Sequence, residues 1–188
     1  MPVDAHKATW AAMRRIVTAL NANVATELTA DAPTGLNVTA PSSEAYFVLP
    51  SEAKVRSHVA AAEGFVQVYL YPSGDRTRRE RTNGPVTKTQ PSRFELTLVV
   101  RIHDEAGAAD FDETWKTLHP WEREYYRCET VLGAIQDVMD GFSRDGDNVL
   151  QVEFVSSRSG DERFGSRGTV GSQRWLIQQI TTIPVQNS

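Results

Sequence analysis

A chain of 188 residues can bury one sizeable core but is short for two, so a single domain is expected. With 40% hydrophobic and 23% charged residues it is neither polar enough for disorder nor apolar enough for a membrane protein, and no window approaches the roughly 18 consecutive apolar residues of a membrane helix. A net charge of -4 gives the whole chain no attraction to nucleic acid, its one cysteine excludes an internal disulfide and a multi-cysteine zinc site, and the polar start "MPVDAHKATW" does not read as a signal peptide; a soluble protein made in a reducing cytoplasm is expected.

Over residues 4–28, Met13, Ile16, Val17, Leu20, Val24 and Leu28 recur at helical spacing, which predicts an amphipathic helix with Asp4 as its N-cap. Pro33, Gly35 and Pro41 end it in a loop. "AYFVLP" predicts a short strand closed by Pro50, and residues 52–63 a short helix stopped by Gly64. "GFVQVYLYP" predicts a stronger strand, rich in β-branched and aromatic residues. Residues 72–92 are polar and proline-bearing, as expected of a long loop or an extended hairpin. In "RFELTLVVRI", Phe94, Leu96, Leu98, Val100 and Ile102 alternate with Arg93, Glu95, Thr97 and Arg101, the period-two pattern of a half-buried strand.

An acidic stretch over 103–113 leads into a second amphipathic helix over 121–142. Its predicted buried stripe is Tyr125, Cys128, Val131, Leu132, Ile135, Val138, Met139 and Phe142. "VLQVEFV" predicts a strand, residues 156–172 a Gly/Ser/Arg loop, and "QRWLIQQITTIPV" a closing strand. The order predicts one α+β domain over 1–188: a mostly antiparallel sheet, with the long N-terminal helix and the second amphipathic helix packed on it, and loop insertions at about 72–92 and 156–172.

Chemical motifs are sparse. His6, His58, His103 and His119 are scattered, and no two stand at the spacing of a helical zinc site, so structural or surface roles are expected for them. Asp104, Glu105, Asp110, Asp112 and Glu113 gather beside His103 but lack calcium-loop spacing, which favours a solvated acidic loop or an interface patch over a cation site. No Gly-x-Ser-x-Gly elbow occurs, Cys128 falls on a buried stripe, and "GSRGTVGS" lacks the Lys-Ser/Thr ending of a phosphate loop. Neither an enzyme nor a cofactor or metal is expected.

Charge is more informative. Between residues 75 and 88, Arg76, Arg78, Arg79, Arg81 and Lys88 stand against Asp75 and Glu80, a local +3 that leaves -7 on the rest of the chain. A second basic stretch carries Arg158, Arg163, Arg167 and Arg174 against Asp161 and Glu162. Arginine in preference to lysine suits bidentate contact with carboxylate or phosphate. The plain reading is a solvated loop; ordering it takes a partner that supplies negative charge, either nucleic acid or another subunit's acidic surface. Between Asp75 and Arg93 no aromatic residue is interleaved with the arginines, so phosphate contact without base reading, or pairing with protein carboxylates, is expected there.

The long first helix, the strand pair, the alternating strand "RFELTLVVRI", the helix "YYRCETVLGAIQDVMDGF" and the final strands ending in "WLIQQITTIPVQNS" resemble the tail terminator proteins of long-tailed bacteriophages, over roughly residues 4–185. The resemblance implies a virion structural protein of the neck, assembled in the host cytoplasm. It implies a hexameric ring that caps the tail tube and joins it to the head-completion or connector protein, around a channel for genomic DNA. The basic loops would face the next ring or the lumen, and the enlarged intervals 72–92 and 156–172 leave a neighbouring neck or head-completion ring open. Arg76 to Arg81 and the acidic run from Asp104 to Glu113 would be complementary halves of a head-to-tail contact. The alternative is a nucleic-acid-binding accessory protein that places the Arg76–Arg81 loop on phosphates.

Overall fold

Residues 5–60, 66–73, 88–103, 113–144, 150–160 and 168–183 are described by a computed structural model. Helix α1 (Ala5–Asp31) buries Ala12, Met13, Ile16, Leu20, Val24 and Leu28 along one face and ends ahead of Pro33, which cannot continue it. Strand β1 (Tyr46–Val48) and helix α2 (Glu52–Ala60) follow, then β2 (Val66–Ser73) and the long β3 (Lys88–Ile102). A single-turn helix α3 (Glu113–Lys116) precedes α4 (Pro120–Arg144), and β4 (Leu150–Arg158) and β5 (Thr169–Ile183) complete the chain. The strands form one sheet in the order β1-β2-β3-β5-β4, antiparallel at every pairing except β1 with β2. This is the α+β fold that the sequence predicts.

Helix α1 lies over β1, β2 and β3, and α4 over β3, β5 and β4, on the same face of the sheet. Between these helices and the sheet sits the main core, built on Phe94, Leu96, Leu98, Val100 and Ile102 of β3. The parallel pair β1–β2 cannot be joined by a hairpin, so the chain between them crosses over the sheet, and α2 is that crossover. Val55 and Val59 of α2 cover Tyr69, Tyr71, Val99 and Val170 on the opposite face. Strand β3 is therefore half-buried only in part: Arg93 is exposed on the side expected to meet solvent, but Thr97, Val99 and Arg101 on that side are buried as well.

The interval 72–92, expected as a long loop or an extended hairpin, has strand at both ends, and the expected loop 156–172 is partly strand. Residues 88–92 begin β3 and pair with the end of β5, and β4 and β5 take up residues 156–158 and 169–172. Among the described residues, strand β2 runs beside β3 as far as the Ser73–Glu95 pair, and residues 88–94, Pro91 among them, pair with β5 on the other side. At the other end Gly168 (φ 92°) turns the chain into β5, and a Cβ there would stand 2.1 Å from the Ile102 carbonyl oxygen. Any side chain at this position collides with β3 itself.

Close approach of α4 to the sheet rests on Gly171, where a Cβ would meet Leu132 Cδ1 at 2.6 Å and Cys128 Sγ at 2.8 Å. Cys128 is fully buried, as the sequence predicts, and burial, with Glu129 adding to it, pushes its thiol from 9.0 to about 12. Burial also raises the Tyr46 and Tyr69 hydroxyls from 10.0 to about 12. Below pH 9 the folded and unfolded forms of all three groups hold their protons and contribute no pH dependence. Above it the unfolded chain alone releases protons, so stability is expected to fall as pH rises from 9 towards 12. A thermal-melt series across that range checks the slope, and a thiol reagent at neutral pH should label Cys128 only after unfolding. Labelling of the native protein at the rate of a free thiol would contradict the packing.

Candidate interaction surfaces

Of the charged residues singled out by sequence, Arg76, Arg78, Arg79, Arg81, Asp104, Glu105, Asp110, Asp112, Arg163 and Arg167 lie outside the described residues. Lys88 and Glu113 are the first residues of β3 and α3, and Arg158 is exposed at the end of β4. The fold nevertheless fixes where each charged stretch leaves the sheet. Residues 74–87 join Ser73, which pairs with Glu95 in the middle of β3, to Lys88, the first residue of that strand. Residues 104–112 follow His103, just past the last residue of β3, and residues 161–167 lie between Gly160 and Gly168, beside the Ile102–Thr169 pair. The arginine stretch therefore leaves beside the middle of β3 and rejoins it at its start, whereas the acidic run leaves from its end, about 46 Å from Lys88 at the usual rise per residue. The second basic stretch leaves from the acidic end.

A small polar knot ties the acidic end together. His103 Nδ1 lies 3.5 Å from Glu124 Oε1, and Thr169 Oγ1 donates to Glu124 Oε2 at 3.4 Å, so one carboxylate of α4 joins the end of β3 to the start of β5. The first turn of α4 is set by Pro120, pre-formed for the first helical position, and by Glu122, whose side chain accepts the His119 backbone N–H at 2.7 Å. Two arginines of this helix turn inward: Arg123 donates to the Leu118 carbonyl and Arg127 to the Asn37 carbonyl, each at 2.7 Å, and both are buried.

Inward arginines leave the outer face of the first two turns aromatic and acidic. Trp121 is 64% exposed, Tyr126 45% and Tyr125 41%. The Trp121 ring stacks on His119 (6.4 Å, 11°), Tyr125 meets Tyr126 edge-on (6.1 Å, 80°), and Tyr126 meets Trp115 in the same way (5.3 Å, 74°). Trp115 is itself held by donation from its ring N–H to the Thr34 carbonyl at 3.0 Å. Tyr125 belongs to this outer face and not to the predicted buried stripe. One helical repeat before Val131 stands Arg127, and before that Arg123; these two take the inward positions and turn the neighbouring tyrosines out. The signal for the outer face is the spacing W-E-x-x-Y-Y-x-x-E from Trp121 to Glu129, which repeats at one turn.

On the α2 side of the sheet, β3, β5 and β4 expose Arg93, Arg174, Glu153 and Arg158. Arg174 pairs with Glu95 at 2.6 Å and Arg93 donates to Gln178 at 3.1 Å, so the described residues of this surface mix both signs. A groove of about 400 Å³ between α1 and α4 is lined by Arg15, Asn23, Glu27, Asp137 and Phe142 among others, without a histidine, cysteine or serine. Among the described residues no group of three or more His, Cys, Asp or Glu is placed to hold a metal ion, and no helix is long and apolar enough to cross a membrane. Neither a model of a known protein family nor a curated protein sequence matches the chain.

Proposed function

We propose that the chain is a ring-forming structural subunit of the neck of a long-tailed bacteriophage, of the tail terminator kind, which caps the tail tube and joins it to the head connector around the DNA channel. The observation that carries this reading is the anchoring of opposite charges at opposite ends of one strand. The arginine stretch re-enters the sheet at Lys88, the first residue of β3, and the acidic run leaves after Ile102, its last, so a second copy set head to tail can present its arginines to this molecule's acidic run. Complementary patches set at two different places on a subunit make a heterologous contact, and repetition of such a contact closes a ring when its rotation divides a full turn.

The phosphate-binding alternative uses the same arginines but gives no role to the acidic end. Native mass measurement at low salt, with the protein alone and with tail tubes present, separates the two. The ring reading predicts a single closed oligomer, hexameric by the resemblance, either in solution or at the tube end. A chain that stays monomeric in both conditions and shifts DNA with a steep salt dependence would support the alternative.

A further inference from the structure

The outer face of the first two turns of α4 has a composition that selects its own ligand. Trp121 and Tyr125 stand one turn apart, Tyr126 lies beside them, and Glu122 and Glu129 complete the same two rows. Exposed aromatic surface of this extent marks a contact site, and the carboxylates among the rings repel phosphate and anionic lipid alike. A guanidinium fits: its plane stacks on an aromatic face while its edge donates to carboxylate oxygens. Arg123 and Arg127, within these turns, point inward onto carbonyl groups and do not fill this role.

We propose that this aromatic and acidic face of α4 is the docking surface for residues 74–87 of a second copy of the chain, with arginine side chains of that segment stacked on Trp121 and Tyr125. The segment offers four arginines within six positions and no aromatic residue of its own. The segment leaves the sheet at Ser73, beside Glu95 in the middle of β3, and returns at Lys88, its first residue; the ring reading supplies the occupant from a neighbour. The proposal rests on the ring reading above and names the contact that would join one subunit to the next.

The test uses the full chain and a fluorescent synthetic peptide of residues 74–87, followed by anisotropy. Expected are saturable binding, a loss of about tenfold or more in the Trp121→Leu/Tyr125→Leu double variant, and retention within about threefold in Trp121→Phe, which keeps an aromatic face. A peptide with its arginines replaced by lysine should bind several-fold more weakly. Equal affinity for the wild-type chain and the leucine variant overturns the proposal, as does a thymidine oligonucleotide that binds at Trp121 more tightly than the peptide. Rings formed equally well by the leucine variant would sink this contact and leave the ring reading standing. Peptide binding as described, in a chain that forms no ring alone or on tail tubes, would sink the ring reading and leave the contact standing.

Discussion

The double charge reversal Arg78→Glu/Arg79→Glu is expected to abolish self-assembly while leaving the fold intact. Each reversal turns an attraction into a like-charge contact with the neighbour's acidic end, and such juxtapositions cost several kcal/mol, so association should weaken by about 100-fold or more. Neither residue lies in a described strand or helix, and the melting temperature should stay within about 2 °C of the wild type. Reversal of Asp110 and Asp112 to lysine in the same chain should restore part of the lost association. Sedimentation at low and high salt reads both effects; assembly unchanged by the reversal would remove the electrostatic basis of the contact.

The second large effect concerns the packing of α4 on the sheet. Trp175 is fully buried, meets Phe154 edge-on (5.1 Å, 72°), and donates its ring N–H to Gln173 Oε1 at 3.3 Å. Gln173 in turn donates to the Leu132 carbonyl of α4 at 2.8 Å, so the indole, the amide and the helix backbone form one chain through the core. Trp175→Ala opens a cavity between α4 and β5 and strips Gln173 of its donor. The expected cost is roughly 3–5 kcal/mol, read by denaturant unfolding, with a melting temperature lower by about 10 °C or more. A loss below about 1 kcal/mol would contradict the placement of this side chain.

The two long helices and most strand positions are legible in the sequence because each buries a single periodic stripe. Ile16, Leu20 and Val24 announce α1, and Phe94, Leu96 and Leu98 announce the core side of β3. What the pattern hides is the second face of the sheet. The crossover that puts α2 over Tyr69 and Val99 follows from a parallel pairing of β1 with β2, which no local period encodes. Polar letters left residues 88–92 open between a loop and a hairpin strand, and hid the strand at 156–158. These are strand because the β3–β5 and β4–β5 ladders satisfy their backbone, although their side chains offer no apolar alternation.

The charged stretches stand out as composition, but their opposition across the sheet does not, since it depends on which end of β3 each one joins. The aromatic face of α4 was hidden for a different reason. Tyr125 fits the helical period of the buried stripe, and only the inward turn of Arg123 and Arg127, anchored on carbonyls of residues 118 and 37, decides that it faces out.

The most direct test joins the two ends chemically. Cys128, the chain's one cysteine, is buried with a raised thiol, so new cysteines can be placed against a silent background. In Arg79→Cys/Asp110→Cys, mild oxidation under assembly conditions should give a ladder of covalent multimers that ends at one closed ring size, while either single variant gives no ladder. Covalent dimers formed equally well by Arg79→Cys alone, or no cross-linked product from the double variant in assembled protein, would contradict a head-to-tail contact between opposite ends of the sheet.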